Sequence, residues 1–282
     1  MADIDWEYEL SPSKWCRDQK TEEAVNNYIK NFDNFGKIVK SSLKKEFAYG
    51  KLPEQKILIF QGENCPEEAP LFCFIHGGYW QALDVQSSIG AALIVDGLPI
   101  KVAIIGYEIA PKSNMSQIIN DIKQATELLL NVSDENKFKG IYLCGHSAGG
   151  HLAALMMSAE FGSKLSGFIL LSGIFELKNI IKTSINAPLN MSEKDAEEFS
   201  PINKVDEIKV NLSVPVYILV GEYDPRELIR QSKEYGEKLI NYGMKTVINH
   251  IIPGKDHFNY FYDIHQPELC SIRSFVKKCI LG

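Results

Sequence analysis

The chain gathers its apolar residues into five short runs, at residues 71–75, 102–107, 141–144, 168–171 and 216–220, each bounded by turn-forming residues. Runs too short for a helix and rich in β-branched or aromatic residues predict strands buried on both faces. Between them the period changes. Residues 117–130 carry Ile118, Ile119, Ile122, Ala125, Leu128 and Leu129 on one face, the stripe of a helix lying on a core. A further helix is predicted from Pro225 to about Tyr242, a last strand over 246–252 and a C-terminal helix over 270–280. This alternation predicts an α/β fold with a mostly parallel central sheet, helices on both faces and right-handed crossovers. The 282 residues read as one domain.

One stretch departs from the pattern. Residues 177–206 lack a strand signal, contain Pro188 and Pro201, and carry a short polar helix after the N-cap candidate Ser192. Loops at the carboxyl ends of strands border the site in open α/β folds, so this insertion reads as a small cap or lid.

Composition excludes several function classes. Hydrophobic residues make up 45% and charged residues 23%, globular averages that argue against disorder. Thirty basic residues are interleaved with 36 acidic ones, without the basic stripe that nucleic acid requires. The six cysteines form no CxxC pair and no metal-like spacing with histidine, so free thiols in a reducing compartment are expected. The acidic start, Met1 to Asp5, has no signal-peptide pattern, and no apolar run approaches the ~18 residues of a membrane span. The expectation is a cytoplasmic protein with a small-molecule substrate, no membrane and no nucleic acid. For assembly, only symmetry statistics speak, and they make a homodimer the default oligomer.

The chemistry concentrates at Gly145-His146-Ser147-Ala148-Gly149. The predicted strand 141–144 runs straight into this G-x-S-x-G, and a helical pattern follows at once. In that context a serine sits on a strained strand-to-helix turn with its hydroxyl exposed, and Cβ atoms at Gly145 and Gly149 would collide with neighbouring elements. Ser147 is therefore the nucleophile candidate. A serine hydroxyl needs a base and an orienting carboxylate, which follow it in the order acid, then histidine. His250 lies inside a predicted strand and His265 starts the last helical region. His257 sits on a Gly- and Pro-containing loop after the last strand, where a base can reach Ser147. The loop after strand 216–220 offers Asp224 as the acid, with Glu222 the alternative; Asp256 reads as a turn residue. After the first run, His76-Gly77-Gly78-Tyr79-Trp80 forms a tight loop whose amides can face a developing oxyanion. Ala148, the residue after the nucleophile, supplies another amide.

Gly145–Leu152 together with His76-Gly77-Gly78-Tyr79-Trp80 and the N-terminal Tyr8-Glu9-Leu10-Ser11-Pro12-Ser13-Lys14-Trp15 resembles the serine-dependent kynurenine formamidases (arylformamidases). These belong to the hormone-sensitive-lipase-like branch of the α/β-hydrolase fold. The resemblance implies hydrolysis of N-formyl-L-kynurenine to L-kynurenine and formate, a step of tryptophan degradation, through a formyl-enzyme. It also implies that the amides of Gly78 and Tyr79 form the oxyanion hole. No HxxxD or HExxH ligand set is present, so neither metal nor cofactor is expected.

Trp80 and Phe258, with Tyr79, Tyr260 and Phe261, are candidates for an aromatic slot holding the substrate ring. Arg17, Lys112 and Arg226 are candidates for its carboxylate. A general carboxylesterase acting on short-chain aryl or lipophilic esters is the alternative function. A catalytically silent binding protein is a third, disfavoured because Ser147, Asp224 and His257 are all present.

Overall fold

The computed structural model describes residues 4–17 and 20–282; residues 1–3 of the acidic start lie outside them. Among the described residues, eight strands form one sheet: β1 (Ser42–Ala48), β2 (Lys56–Gln61), β3 (Leu71–Ile75), β4 (Lys101–Ile105), β5 (Ile141–His146), β6 (Gly167–Leu171), β7 (Val216–Gly221) and β8 (Val247–Ile252). Their spatial order is β1-β2-β4-β3-β5-β6-β7-β8. The β1–β2 and β2–β4 pairs are antiparallel, and every other pair is parallel. The five apolar runs and the last strand fall where the pattern predicts, with ends differing by at most two residues.

The sequence reading does not place β1 and β2. All of β1 except Phe47 is exposed, and its central run of Lys44, Lys45 and Glu46 reads as surface. Charged residues on an edge strand discourage further strand pairing, and they also hide the strand from a hydrophobicity pattern.

The helices are α1 (Trp6–Glu9), α2 (Thr21–Ile38), α3 (Met115–Asn136), α4 (Ala148–Leu155), α5 (Glu193–Glu198), α6 (Arg226–Tyr242) and α7 (Ser271–Leu281). Two cores result, one on each face of the sheet. Leu129 of α3, Leu152 of α4 and Leu239 of α6 pack on one face, while Phe32 of α2, Ile94 and Val276 of α7 pack on the other. Helix ends follow local chemistry. Asn114 caps α3 in a reciprocal pair with Gln117, and Ser192 caps α5 in the same way with Asp195.

Register decides where chemistry can occur. Ile75 of β3 lies beside Gly145 of β5, and His146 of β5 beside Leu171 of β6. Leu171 in turn lies beside Leu219 of β7, and Gly221 beside Ile252 of β8. The loops that leave β3, β5, β6, β7 and β8 therefore converge at one edge of the sheet, the carboxyl edge where open α/β sheets bind ligands.

Candidate active site

Ser147 occupies the turn between β5 and α4 with φ 55° and ψ −119°, a conformation that costs a non-glycine residue of order 1–3 kcal/mol. The surroundings enforce it. Its amide donates to the Leu171 carbonyl at 2.8 Å and its carbonyl accepts the His151 amide at 3.1 Å. The flanking glycines have no freedom to change. A Cβ on Gly145 would lie 2.0 Å from the Gly149 carbonyl oxygen, and one on Gly149 would lie 2.0 Å from that of Ile75.

His257 Nδ1 donates to Asp224 Oδ1 at 2.6 Å, with both side chains almost fully buried. The other carboxylate oxygen of Asp224 accepts the Gly221 amide at 2.7 Å and the Ser172 hydroxyl at 2.6 Å. His257 and Ser147 line the same cavity. Of the three residues singled out from the sequence, Asp224 and His257 are thus hydrogen-bonded, and Ser147 shares the cavity with His257. Glu222, the alternative acid, faces away from this group and accepts the Gly254 amide at 2.7 Å. Asp256 accepts the Phe258 and Asn259 amides, each at 2.9 Å, as a turn residue does. His250 packs its ring on Phe275, and His265 stacks on Phe35.

The loop after β3 takes positive φ at Gly78 (96°), Tyr79 (49°) and Trp80 (58°). It curls back beside Ser147, so a Cβ on Gly77 would come within 3.1 Å of Ser147 Cβ. Among the described residues, no acceptor takes the amides of Gly78, Tyr79 or Ala148. Gly78 and Tyr79 line the cavity with Ser147, and Ala148 follows Ser147 as the first residue of α4. Such free amides next to a serine can stabilise a negative oxygen.

The cavity measures about 240 Å³. Tyr28, Tyr79 and Phe258 supply its aromatic surface, and Leu10, Val25, Ile29, Leu83 and Ile185 its aliphatic surface. Trp80 does not reach it. That side chain is fully buried and donates its indole N–H to His151 Nδ1 at 3.2 Å. Tyr260 and Phe261 are likewise buried away from the cavity. Among the described residues, no charged side chain lines it. Arg17 lies over the Tyr223 ring and Arg226 over the Trp15 ring, while Lys112 pairs with Glu108.

The roof differs in origin from the expected lid. Only Ile185 comes from residues 177–206, whereas Leu10, Ser11, Pro12 and Ser13 come from the N-terminal segment and Val25, Tyr28 and Ile29 from α2. The two parts are joined: Glu7 accepts the Ser184 amide at 2.8 Å and its hydroxyl at 2.6 Å. A signal for α2 exists in the sequence, since Ala24, Tyr28, Phe32 and Phe35 recur at helical spacing and are its buried residues.

His146 is a further site residue that the sequence reading does not assign. Its Nε2 lies 3.0 Å from the His257 carbonyl oxygen, and its Nδ1 lies 3.5 Å from the Tyr28 hydroxyl. Burial holds its imidazole well below the usual histidine range. Neutral His146 therefore donates from Nε2, pinning the backbone of His257 from the position that precedes Ser147 in the chain. Among the described residues, no group of three His, Cys, Asp or Glu is arranged to hold a metal ion. No described helix is long and apolar enough to cross a membrane.

Comparison with known proteins agrees with this architecture. The model of the α/β hydrolase fold family matches residues 72–260. A kynurenine formamidase of Danio rerio is 28% identical over 267 residues, covering 92% of this chain and 90% of that protein. One of Salmo salar is 29% identical over 262 residues, covering 90% and 88%. Among solved structures, a hyperthermophilic esterase of the archaeon Pyrobaculum calidifontis superposes with a TM-score of 0.72 at 18% identity, covering 93% of each chain.

Proposed function

As the chain belongs to the α/β hydrolase fold family and is a hydrolase, we propose that it cleaves N-formyl-L-kynurenine to L-kynurenine and formate. The observation that carries the reading is the His257–Asp224 pair at 2.6 Å, opening on a cavity that also holds Ser147 and the unengaged Gly78 and Tyr79 amides. The curated relatives that align over nine-tenths of the chain support the choice of substrate.

In the proposed mechanism His257 takes the Ser147 proton while Oγ attacks the formyl carbon. Amides of Gly78, Tyr79 and Ala148 receive the oxyanion, and Asp224 holds the imidazole in the tautomer the transfer requires. His257 then protonates the departing aryl amine. An anilide nitrogen leaves more readily than an alkyl amine because its lone pair is delocalised into the ring. Water, deprotonated by the same histidine, hydrolyses the formyl-enzyme. The aromatic ring of the substrate lies among Tyr28, Tyr79 and Phe258. Its charged amino-acid end points to the mouth, since the cavity offers no ionic partner among the described residues and burying an unpaired charge is costly. On this reading the chain is one domain of cytoplasmic type whose roof is built by the N-terminal segment, α2 and Ile185.

A general carboxylesterase is the second reading, favoured by the same uncharged cavity. The two are separated by kcat/KM for N-formyl-L-kynurenine against 4-nitrophenyl acetate, with formate release followed directly. The formamidase reading expects the formamide to be preferred after correction for intrinsic reactivity. Preference for the ester, with formate release near background, would overturn it.

A further inference from the structure

We propose that Ser172 and Tyr260 are positioning residues, a two-hydroxyl relay that fixes the Asp224 carboxylate against His257. The inference rests on the triad reading and goes beyond it.

Asp224 is buried, and its two oxygens have different partners. Oδ1 is left to His257 Nδ1 at 2.6 Å. Oδ2 accepts the Gly221 amide at 2.7 Å and the Ser172 hydroxyl at 2.6 Å. An ionised carboxylate only accepts, so Ser172 spends its one proton on Asp224 and keeps its lone pairs free. Tyr260 fills that place, its hydroxyl 2.8 Å from Ser172 Oγ. Burial pushes the Tyr260 phenol well above its ordinary range, which keeps it protonated and makes it the donor. The direction of the chain is therefore fixed: Tyr260 to Ser172 to Asp224, each bond polarising the next.

The backbone at Ser172 argues against an incidental contact. Its φ is 44°, left-handed space that glycine enters freely and other L-residues enter at a cost of about 1 kcal/mol or more. Gly173 is the very next residue, yet the strained position carries a hydroxyl. The Ser172 amide is held by the Leu219 carbonyl at 2.7 Å, which continues the β6–β7 ladder. At the other end, the Tyr260 ring is packed against His146 and Phe261 with centroid distances of 5.8 and 4.8 Å.

Tyr260 also belongs to the loop that carries His257. The contacts thus close a circuit from His257 through Asp224 and Ser172 to Tyr260, joining the ends of β6, β7 and the loop after β8. A rotation of the carboxylate that would swing Oδ1 away from His257 must break two hydrogen bonds to Oδ2. The circuit thereby holds the acid in the plane that His257 needs when it becomes an imidazolium.

The test is a double-mutant cycle in the full chain, Ser172→Ala, Tyr260→Phe and both together, with 4-nitrophenyl acetate as substrate. The relay expects Ser172→Ala to lower kcat about 10- to 100-fold, the worth of one hydrogen bond to a charged acceptor. Tyr260→Phe should lower it about 3- to 10-fold, with KM moving less than about twofold in each. The double variant should be no slower than Ser172→Ala, because Tyr260 acts only through Ser172. Wild-type kcat in folded Ser172→Ala, a loss carried by KM, or losses that multiply would each overturn the relay. Should Ser172→Ala fail to fold, Tyr260→Phe, which deletes one oxygen from a packed ring, carries the kcat and KM test alone. Turnover that survives in Ser147→Ala would instead overturn the triad itself, so the two failures are distinguishable.

Discussion

The Trp80 indole N–H donates to Nδ1 of His151 at 3.2 Å, tying the loop after β3 to the first turns of α4. The tautomer follows from that bond. With Nδ1 accepting, His151 carries its proton on Nε2 and donates to the Phe199 carbonyl at 2.8 Å. One imidazole thus joins the loop with the free amides, the helix behind Ser147 and the insertion at 177–206. Trp80 acts on the site through the backbone it anchors, since its ring never meets the cavity.

Trp80→Phe should accordingly cost both stability and rate. It leaves His151 Nδ1 buried without a donor, a penalty of about 1–3 kcal/mol, visible as a lower denaturation midpoint with an unchanged m-value. The loop then loses the constraint that keeps Gly78 and Tyr79 at positive φ, and kcat should fall about tenfold with KM little changed. A stable variant with full kcat would mean that the loop holds its shape without the indole.

Stability should fall as the solution is acidified through the range of the buried histidines. Burial depresses His76 to about 4 and His151 to about 4, against an ordinary value near 6.5. The unfolded chain therefore binds protons between pH 6.5 and about 4 that the folded chain refuses. Stability is full above that window and is lost as pH drops through it. Each histidine accounts for about 3 kcal/mol at the low end. Urea midpoints at pH 7, 5.5 and 4.5 check this, and His76→Gln should flatten the dependence. A midpoint constant from pH 7 to 4.5 would contradict it.

The two carboxylates after β7 should separate sharply. Asp224→Asn places an amide against His257 Nδ1 and imposes the wrong tautomer, for an expected loss in kcat of about 10⁴-fold. Glu222→Gln keeps an acceptor for the Gly254 amide and should lose less than about threefold. Ser147→Ala and His257→Ala should each fall by 10⁴-fold or more. The reverse ranking of Asp224 and Glu222 would mean that the turn presents its side chains differently in the working enzyme.

How far the sequence reveals this molecule depends on the range of the forces involved. Ser147 and Asp224 are legible because each follows a buried strand whose apolar run is a local signal; His257 is legible from the Gly- and Pro-containing loop after β8, and register brings those strand ends together. Gly145 and Gly149 are legible because close backbone approach tolerates no Cβ. The relay through Ser172 and Tyr260 is not legible, because a serine beyond a strand reads as a turn residue until a carboxylate 52 positions away is seen to meet it. Trp80 and Tyr79 are adjacent aromatics with opposite fates. Which ring faces the cavity is set by φ values of 49° and 58°, and no periodicity encodes those. The roof escapes notice for a related reason: α2 seals a site that lies more than one hundred residues further along the chain.

Tyr79 carries two separable properties, a hydroxyl and a ring, and the last prediction separates them. Its hydroxyl donates to the Leu10 carbonyl at 2.6 Å, holding down the segment whose Leu10, Ser11, Pro12 and Ser13 roof the cavity. Tyr79→Phe keeps the ring and the backbone amide but frees that segment, so binding should weaken while chemistry is spared. KM should rise about 3- to 10-fold, the worth of a neutral hydrogen bond, with kcat within about twofold. Tyr79→Ala also removes bulk beside the attacked carbon. A formyl group carries only hydrogen there, and steric overpacking of a larger acyl group costs about 1–3 kcal/mol. Tyr79→Ala should therefore raise the ratio of 4-nitrophenyl butyrate to 4-nitrophenyl acetate turnover, whereas Tyr79→Phe should leave the ratio alone. If Tyr79→Phe moved the ratio as much as Tyr79→Ala, the roof and not the ring would be what limits acyl size. The narrowness would then belong to the N-terminal segment.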